Sequence, residues 1–367
     1  MPKTEATAPG DRKAGPMTPP PSSLPSSLPS LPPQLPPQLP PSTPLPYHRQ
    51  ALSTGRHRWW RPLAGTAMIL GAALVLTLLV FGAGELAGAA LDRPQDADGI
   101  RELGGIGETA VALLSLAVLT PAVLLAARWT QRRPAGTVSS VTGHLRVRRL
   151  GRCLAVALPV SAASLGIMLL LPESSGGGTG TDTEWAGLLP FLTGLAVVCA
   201  LVPFQAAAEE YVFRGWLVQA VGAWVRSPWI AVLPQALLFA AAHGWGTPWG
   251  FADLLVFALV AAYLTHRTGG LEAAIALHIL NNLLAMGIAS AVAGGLASDE
   301  TAADMDWLSV AVDAPMVCLY AALVLKLDSK TRERDPEAKE KTVGRASRER
   351  KNTADGPQTA RESEQAL

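Results

Sequence analysis

The sequence predicts an all-α membrane protein, a polytopic bundle of about eight transmembrane helices flanked by disordered N- and C-terminal tails. Only 16% of its 367 residues are charged and 49% are hydrophobic, whereas about 25% of the residues in soluble domains are charged. The apolar residues form long runs, and the charged residues collect at the two ends and in short loops. Both features are typical of chains that cross a bilayer.

Composition also excludes two other classes of protein. The formal net charge is +1, which argues against a nucleic-acid partner, because general nucleic-acid binders are strongly basic. The three cysteines lie far apart in the sequence, so the chain is neither a disulfide-rich scaffold nor a protein with a CxxC metal cluster.

Residues 1–57 form a proline-rich segment that we expect to be a disordered cytoplasmic tail. It holds 16 of the 30 prolines, and proline lacks an N–H group and favours polyproline II over a packed core. A docking site for a proline-binding module is the alternative, with its ligand unknown. Residues 326–367 are rich in Lys, Arg and Glu and are expected to form a second disordered cytoplasmic tail.

Between the tails, residues 58–325 form the predicted transmembrane domain. A helix needs about 20 apolar residues to cross the hydrocarbon core of a bilayer. Six of the apolar runs fit this length, whereas 229–243 and 250–265 are short and require tilting, extension or a re-entrant path. The predicted spans are 63–91, 106–127, 150–171, 186–208, 229–243, 250–265, 271–292 and 307–325.

The loops between these spans alternate in charge. Arginines precede the first span and fill the loop 128–149, whereas the loops 92–105, 172–184 and 293–306 are acidic on balance. Because cytoplasmic loops carry the excess of Lys and Arg, this pattern predicts a multi-pass protein of the cell membrane with both termini in the cytoplasm. The basic, amphipathic stretch 211–226 is expected to lie along the cytoplasmic interface.

Most ionisable side chains inside the spans gather in three short motifs. Such groups are costly in a bilayer and mark functional sites by default. On a helix, residues i and i+4 share a face, whereas Glu209 is turned by about 100° from Glu210. The face-sharing pairs are Glu210 with Arg214, Phe239 with His243, and His278 with Asn282. The other histidines, which lie in tails or loops and are expected to be solvated, are His48, His57, His144 and His266.

Each pair alone is more often structural than functional, but the three in this order on successive helices are far more specific. They resemble the motifs of the CAAX-protease and bacteriocin-processing (CPBP) family of intramembrane endopeptidases, which includes the CAAX prenyl endopeptidases. The resemblance covers residues of about 186–292, the predicted catalytic core. It rests on Glu209-Glu210-xxx-Arg214, followed by Gly215-Trp216, and on Phe239-xxx-His243 and His278-xxx-Asn282.

The resemblance implies an endopeptidase that acts on a membrane-associated peptide or protein. Glu209 and His243 would hold and deprotonate a water, which requires a base within hydrogen-bond reach. His278 and Asn282 would donate hydrogen bonds to the oxyanion of the tetrahedral intermediate. The supporting residues would be Glu210 with Arg214, which hold the local charges, and Phe239, which shapes the pocket.

Whether the site also holds a metal is open at this level. Glu209, His243 and His278 are one carboxylate and two imidazoles, a ligand set found in some catalytic zinc sites. Their spacing is not His-Glu-x-x-His, so no single helix presents a preformed pair of ligands. We therefore favour a glutamate-activated water without an obligatory metal, and zinc is the alternative cofactor.

The predicted spans place two of the catalytic residues at different depths. Glu209 follows a full-length span, whereas His243 ends a run that begins at Trp229, about 21 Å further through the membrane. The two side chains meet only if helices tilt or if one run starts away from the bilayer edge. We expect a conical cavity open to the cytoplasm.

Two other functions are compatible with a helical bundle. One is a non-catalytic membrane scaffold or a bacteriocin self-immunity protein of the same fold, which has no need of the full Glu, His and Asn set. The other is a transporter with a Glu–His proton relay, but the two halves of the chain show no internal repeat. The patterns do not specify the substrate, its prenylation, the oligomeric state or the physiological process.

Overall fold

The computed structural model of the protein describes residues 45–171 and 184–334. Within those residues it consists of helices joined by loops, with β-pairing limited to isolated bridges, so the predicted all-α class is confirmed. The proline-rich segment before residue 45, most of the acidic loop 172–184 and the tail after residue 334 lie outside the described residues. The predictions of disorder in the two tails therefore stay predictions.

Each predicted apolar run forms a helix, and two helices share the second run. A segment of π-helical geometry, Tyr211–Leu217, joins α5 to α6. The helices are α1 Arg61–Ala90, α2 Gly105–Ala117, α3 Leu119–Trp129, α4 Val147–Met168, α5 Leu188–Glu210, α6 Val218–Gly222, α7 Pro228–Ala242, α8 Pro248–Thr268, α9 Glu272–Ala291 and α10 Trp307–Arg334.

The lengths of the helices identify which of them could cross a membrane. Among the described residues, 7 helical segments are long and apolar enough to cross a membrane. Helix α7 has 15 residues, a length of about 22 Å, which is short of a hydrocarbon core of about 30 Å. Helix α8, by contrast, has 21 residues and extends the short run predicted at 250–265 to full length. Seven candidates of full length and the short helix α7 therefore correspond to the eight predicted apolar runs.

The bounds of α8 show how local sequence sets helix ends. The hydroxyl of Thr247 accepts a hydrogen bond from the backbone N–H of Gly250 at 2.9 Å, and Pro248 occupies the first position, where no N–H partner is needed. The helix stops at Gly269, whose φ of +69° is a conformation that glycine adopts without strain. These signals lengthen the helix on both sides of its apolar run.

Helix α9 lies inside the bundle, where it packs against α4, α5 and α8. Its N-terminal half is buried and includes Ala273, Ala274 and Ala276, small residues that let neighbouring helices approach closely. Helix α1, in contrast, exposes a row of leucines that includes Leu70 and Leu78, as a lipid-facing surface requires. The polar side chains of α9 are therefore held in the interior.

A short 3-10 helix, Tyr47–Leu52, packs against the bundle although it falls within the predicted N-terminal tail. The hydroxyl of Tyr47 donates to the carbonyl of Val138 at 2.5 Å, and Nε2 of His48 lies 2.9 Å from the carbonyl oxygen of Arg226. His48 is only 3% exposed, so the expectation of a solvated histidine is wrong, and burial lowers its pKa. The part of the chain that packs into the bundle thus begins before residue 57. Helix α10 likewise continues beyond residue 325, the predicted end of the transmembrane domain.

Candidate active site

The first motif lies where the fifth helix changes its geometry. Glu209 and Glu210 end α5, and the π-helical segment Tyr211–Leu217 follows without a break. Segments of this kind are rare and frequently occur at functional sites. Leu188–Gly222 forms one continuous helix of 35 residues, and Trp216 within it is 1% exposed. The predicted amphipathic stretch thus continues the fifth helix, and its position along the cytoplasmic interface stays a prediction.

Glu210 has two buried partners. Nη1 of Arg214 donates to its Oε1 at 2.9 Å, as the spacing of four residues predicts, and Nδ1 of His278 lies 2.8 Å from the same oxygen. A carboxylate that is paired with an arginine accepts hydrogen bonds and does not donate them, so Nδ1 of His278 carries the hydrogen. The other ring nitrogen, Nε2, is thereby turned toward the rest of the site.

Glu209 lies on the Nε2 side of His278. Its Oε2 is 3.6 Å from this nitrogen, which is long for a direct hydrogen bond and short enough for one bridging water. This oxygen is buried and has no hydrogen-bond partner among the described residues. A buried carboxylate oxygen without a partner is costly, so this oxygen is the place in the site where a water or a substrate group would be bound.

Gln205 links Glu209 to Asn282. Nε2 of Gln205 donates to Oε1 of Glu209 at 2.5 Å, and Oε1 of Gln205 accepts from Nδ2 of Asn282 at 3.0 Å. A side-chain amide has two N–H groups, so one N–H of Asn282 is left for another acceptor. Gln205 belongs to none of the three motifs, although its position one helical turn before Glu209 is a signal that could have identified it.

The buried ring of Phe239 joins the three motifs. The guanidinium of Arg214 lies 4.1 Å from the ring centroid, within the range of a cation–π interaction. The imidazoles of His243 and His278 lie 4.6 Å and 5.9 Å from it, centroid to centroid. The ring of Phe257, which no motif predicted, stacks on Phe239 at 5.7 Å. Phe239 therefore forms a wall that both imidazoles contact.

His243 follows the last residue of α7 and is half-buried. Its Nδ1 lies 2.9 Å from the carbonyl oxygen of Phe239; a carbonyl only accepts, so Nδ1 carries the hydrogen and Nε2 the lone pair. Within the described residues no hydrogen bond joins His243 to Glu209. The contact of Arg214 with Phe239 joins the first motif to the second, although the predicted spans place Glu209 and His243 at different depths in the membrane. The long helix continues past Glu209, and the short α7 places its last turn beside it.

The described side chains do not assemble a metal site. Among them, no group of three His, Cys, Asp or Glu side chains is arranged to hold a metal ion. Glu209 and His278 face each other at 3.6 Å, but His243 does not complete a set of three with them, and a catalytic zinc takes three protein ligands. These residues therefore do not fit zinc in this arrangement, and no step below involves a metal.

Comparison with known proteins agrees with the motifs. Residues 189–284 match the family described as type II CAAX prenyl endopeptidase Rce1-like, which confirms the predicted resemblance over the segment that holds every candidate site residue. The uncharacterized protein YyaK of Bacillus subtilis (strain 168) is 31% identical over 170 residues, 44% of this chain and 55% of the relative. The chain thus spans about half the length of this relative. No solved structure matches.

The family match and the helices support two statements about the whole protein. It is a multi-pass membrane protein, because 7 of the described helical segments could cross a membrane and the matched family consists of membrane proteases. Its matched segment is similar to a CAAX-type protease at the level of the family.

Proposed function

We propose that this protein is an intramembrane endopeptidase of the CPBP/CAAX type, which hydrolyses a peptide bond with a water activated by Glu209 and His243. The observation that carries the proposal is the position of His278 between two carboxylates, 2.8 Å from Glu210 and 3.6 Å from Glu209. The buried Oε2 of Glu209, which has no partner among the described residues, supports the proposal because a water bound there would satisfy it.

Glu209 is the general base of the proposed reaction. Gln205 holds one of its oxygens and leaves Oε2 without a partner beside Nε2 of His278. A water bound to Oε2 loses its proton to Glu209 as its oxygen attacks the carbonyl carbon of the substrate. Glu209 then gives this proton to the amide nitrogen as the tetrahedral intermediate collapses and the C–N bond breaks. Nε2 of His243, which carries a lone pair, is the second acceptor that orients this water.

His278 and Asn282 stabilise the oxyanion. His278 is proposed to donate from Nε2, while the contact of its Nδ1 with Glu210 holds the ring in place. Asn282 contributes the N–H that is not used by Gln205. Loss of one such donor costs about 10²–10³ in rate. Glu210, held by Arg214, keeps His278 in this orientation.

The proposal is tested by peptide cleavage in proteoliposomes that contain the purified full-length protein. The probes are membrane-anchored peptides that end in a CAAX-type sequence, each with and without a prenyl group on the cysteine. We expect the wild type to cleave at least one probe and Glu209→Ala to cleave none. Cleavage by both proteins at the same rate, or by neither, would contradict the proposal.

A matched control separates this effect from a general loss of charge. Glu85 also lies in a membrane helix, α1, and its Oε1 accepts from the backbone N–H of Arg101 at 2.9 Å, far along the chain from the motifs. The variant Glu85→Ala is expected to keep the wild-type cleavage rate.

Gln205 is expected to be a positioning residue in this reaction. Gln205→Leu removes both the donor to Glu209 and the acceptor for Asn282, and kcat should fall about 10- to 100-fold, because small displacements of reacting groups have effects of this size. The Michaelis constant KM should change little. Gln219 is the matched control: it is fully buried and donates to the carbonyl of Thr137 at 3.0 Å. Gln219→Leu should lower stability and leave kcat unchanged; equal losses of kcat in the two variants would reduce Gln205 to a structural role.

Removal of metals is expected to leave the cleavage rate unchanged. The reason is the donor set, since Glu209 and His278 are not joined by a third ligand. The measurement is the cleavage rate before and after dialysis of the purified protein against a chelator. A rate that falls on dialysis and returns with added Zn²⁺ would show that a metal is required.

We also propose that both termini face the cytoplasm, as the charge of the loops predicts. With 7 full-length candidates, this orientation requires that α7 also connects the two sides of the membrane. Reporter fusions at each end that respond to one side of the membrane test the assignment.

A further inference from the structure

A cavity with four arginines lies between α4 and α10, away from the candidate active site. Its volume is about 470 Å³, within the range of sites that bind small molecules. Its polar part is lined by Arg146, Arg148, Arg149 and Arg152, and its apolar part includes Ala155 and Val156.

Two of the four arginines are neutralised within the fold. Arg146 forms a bidentate pair with the buried Glu272, with contacts of 2.9 Å and 2.6 Å. Nη2 of Arg149 lies 2.6 Å from Oδ1 of Asp328. These pairs tie the start of α4 to α9 and α10, so they form the frame of the cavity.

The positive charges of the other two arginines are not balanced by an ion pair within the described residues. Arg148 and Arg152 are exposed, and neither forms an ion pair with another described residue. They are four residues apart on α4, so both guanidinium groups lie on the same face of the helix. Two like charges at this spacing repel each other and weaken a helix, and an anion placed between them would remove this repulsion.

The cavity lies at the boundary between the polar end of the bundle and its apolar interior. Helix α4 begins at Val147 beside these arginines, and the apolar run of α10 gives way to polar residues at Lys326, next to Leu327. Ala155 and Val156 continue the same wall one turn deeper along α4. A ligand at this position would therefore contact guanidinium groups at one end and hydrocarbon at the other.

We propose that this cavity binds the headgroup of an anionic phospholipid. Arginine matches the geometry of phosphate through paired N–H groups, and the apolar wall continues toward the position of the acyl chains. Basic pockets between transmembrane helices bind lipid headgroups in this way. A free phosphate shares the chemistry of the headgroup but would leave the apolar wall and most of the volume unused.

The test is native mass spectrometry of the full-length protein in detergent with phosphatidylglycerol, phosphatidylcholine or inorganic phosphate. We expect phosphatidylglycerol to bind more tightly than phosphatidylcholine, and millimolar phosphate to leave it bound. Equal binding of the two lipids, or displacement of phosphatidylglycerol by phosphate, would overturn the assignment to an anionic lipid.

Two variants locate the site. Arg148→Gln with Arg152→Gln should weaken phosphatidylglycerol binding about tenfold or more, since each arginine near an anionic lipid contributes a severalfold effect. The matched control is Arg128→Gln with Arg132→Gln, a second exposed pair four residues apart that does not line the cavity. An equal loss in the control would show a general effect of surface charge and overturn the site.

A further variant tests the apolar wall without changing the charge. Ala155→Trp places a large side chain in the cavity from an exposed position, so it should weaken lipid binding with an unchanged melting temperature. Unchanged lipid binding in Ala155→Trp would overturn the proposal that this cavity holds the lipid. None of these outcomes depends on peptide cleavage.

Discussion

Glu209→Gln is expected to lower kcat for peptide cleavage by about 10²–10⁴, the usual contribution of a general base. Glutamine keeps the shape of glutamate and can still contact Gln205, but its amide cannot accept the proton of the bound water. The measurement is kcat in proteoliposomes with a peptide that the wild type cleaves. A rate within about threefold of the wild type would remove Glu209 from the role of base.

The control for this prediction is a substitution of the same kind elsewhere in the membrane domain. Glu85→Gln makes the same chemical change on α1, where the carboxylate accepts a hydrogen bond from a backbone N–H. It should keep the wild-type kcat. Equal melting temperatures of wild type and Glu209→Gln would show that the loss of rate is not a loss of fold.

Arg214→Met is expected to destabilise the protein by about 3–5 kcal/mol, because it leaves the buried carboxylate of Glu210 without its cation. The pair is fully buried, at 2.9 Å. The variant also removes the guanidinium from the face of Phe239, 4.1 Å from the ring centroid. The measurement is the free energy of unfolding in detergent, with the melting temperature as a second reading.

The second half of this test is a double-mutant cycle. Glu210→Gln removes the carboxylate charge, so Glu210→Gln with Arg214→Met should be markedly more stable than Arg214→Met alone. If the losses of the two single variants simply add, Glu210 and Arg214 do not act as a pair. If Arg214→Met were about as stable as the wild type, the claim that Arg214 neutralises a buried carboxylate of Glu210 would be contradicted.

The fold class could be predicted because it depends on composition and on the length of apolar runs. All the predicted runs form helices, since a backbone in lipid must satisfy its hydrogen bonds internally. The span count could not be fixed in the same way. A run of residues does not show where its helix ends, and α7 stays at 15 residues while α8 reaches 21.

Local pairs in the candidate site could be predicted from helix geometry. The pair of Glu210 and Arg214 follows from a spacing of four residues, and so does the contact of Phe239 with His243. The bridge from His278 to both carboxylates could not be predicted, because it depends on how α9 packs against α5. The role of each residue in catalysis stays a prediction.

Three features could not be assigned from the sequence. The π-helical segment Tyr211–Leu217 has no composition of its own and turns Trp216 into the interior. His48 is buried because a 3-10 helix packs against the loop before α7, a contact between distant parts of the chain. Gln205 is a polar residue in an apolar run, and its partners could be assigned only once α5 and α9 were side by side.

Glu209 is proposed to activate the attacking water, and His278, whose Nε2 lies 3.6 Å from Oε2 of Glu209, to stabilise the oxyanion that the attack of this water creates. The most direct test of this claim is kcat for wild type, Glu209→Gln, His278→Gln and the double variant, on one peptide in one membrane. We expect the wild type to cleave and the double variant to be about as slow as the slower single variant, because the effects of residues that act as a unit are not additive. Wild-type kcat in Glu209→Gln, or a double variant slowed by the product of the two single effects, would contradict this claim.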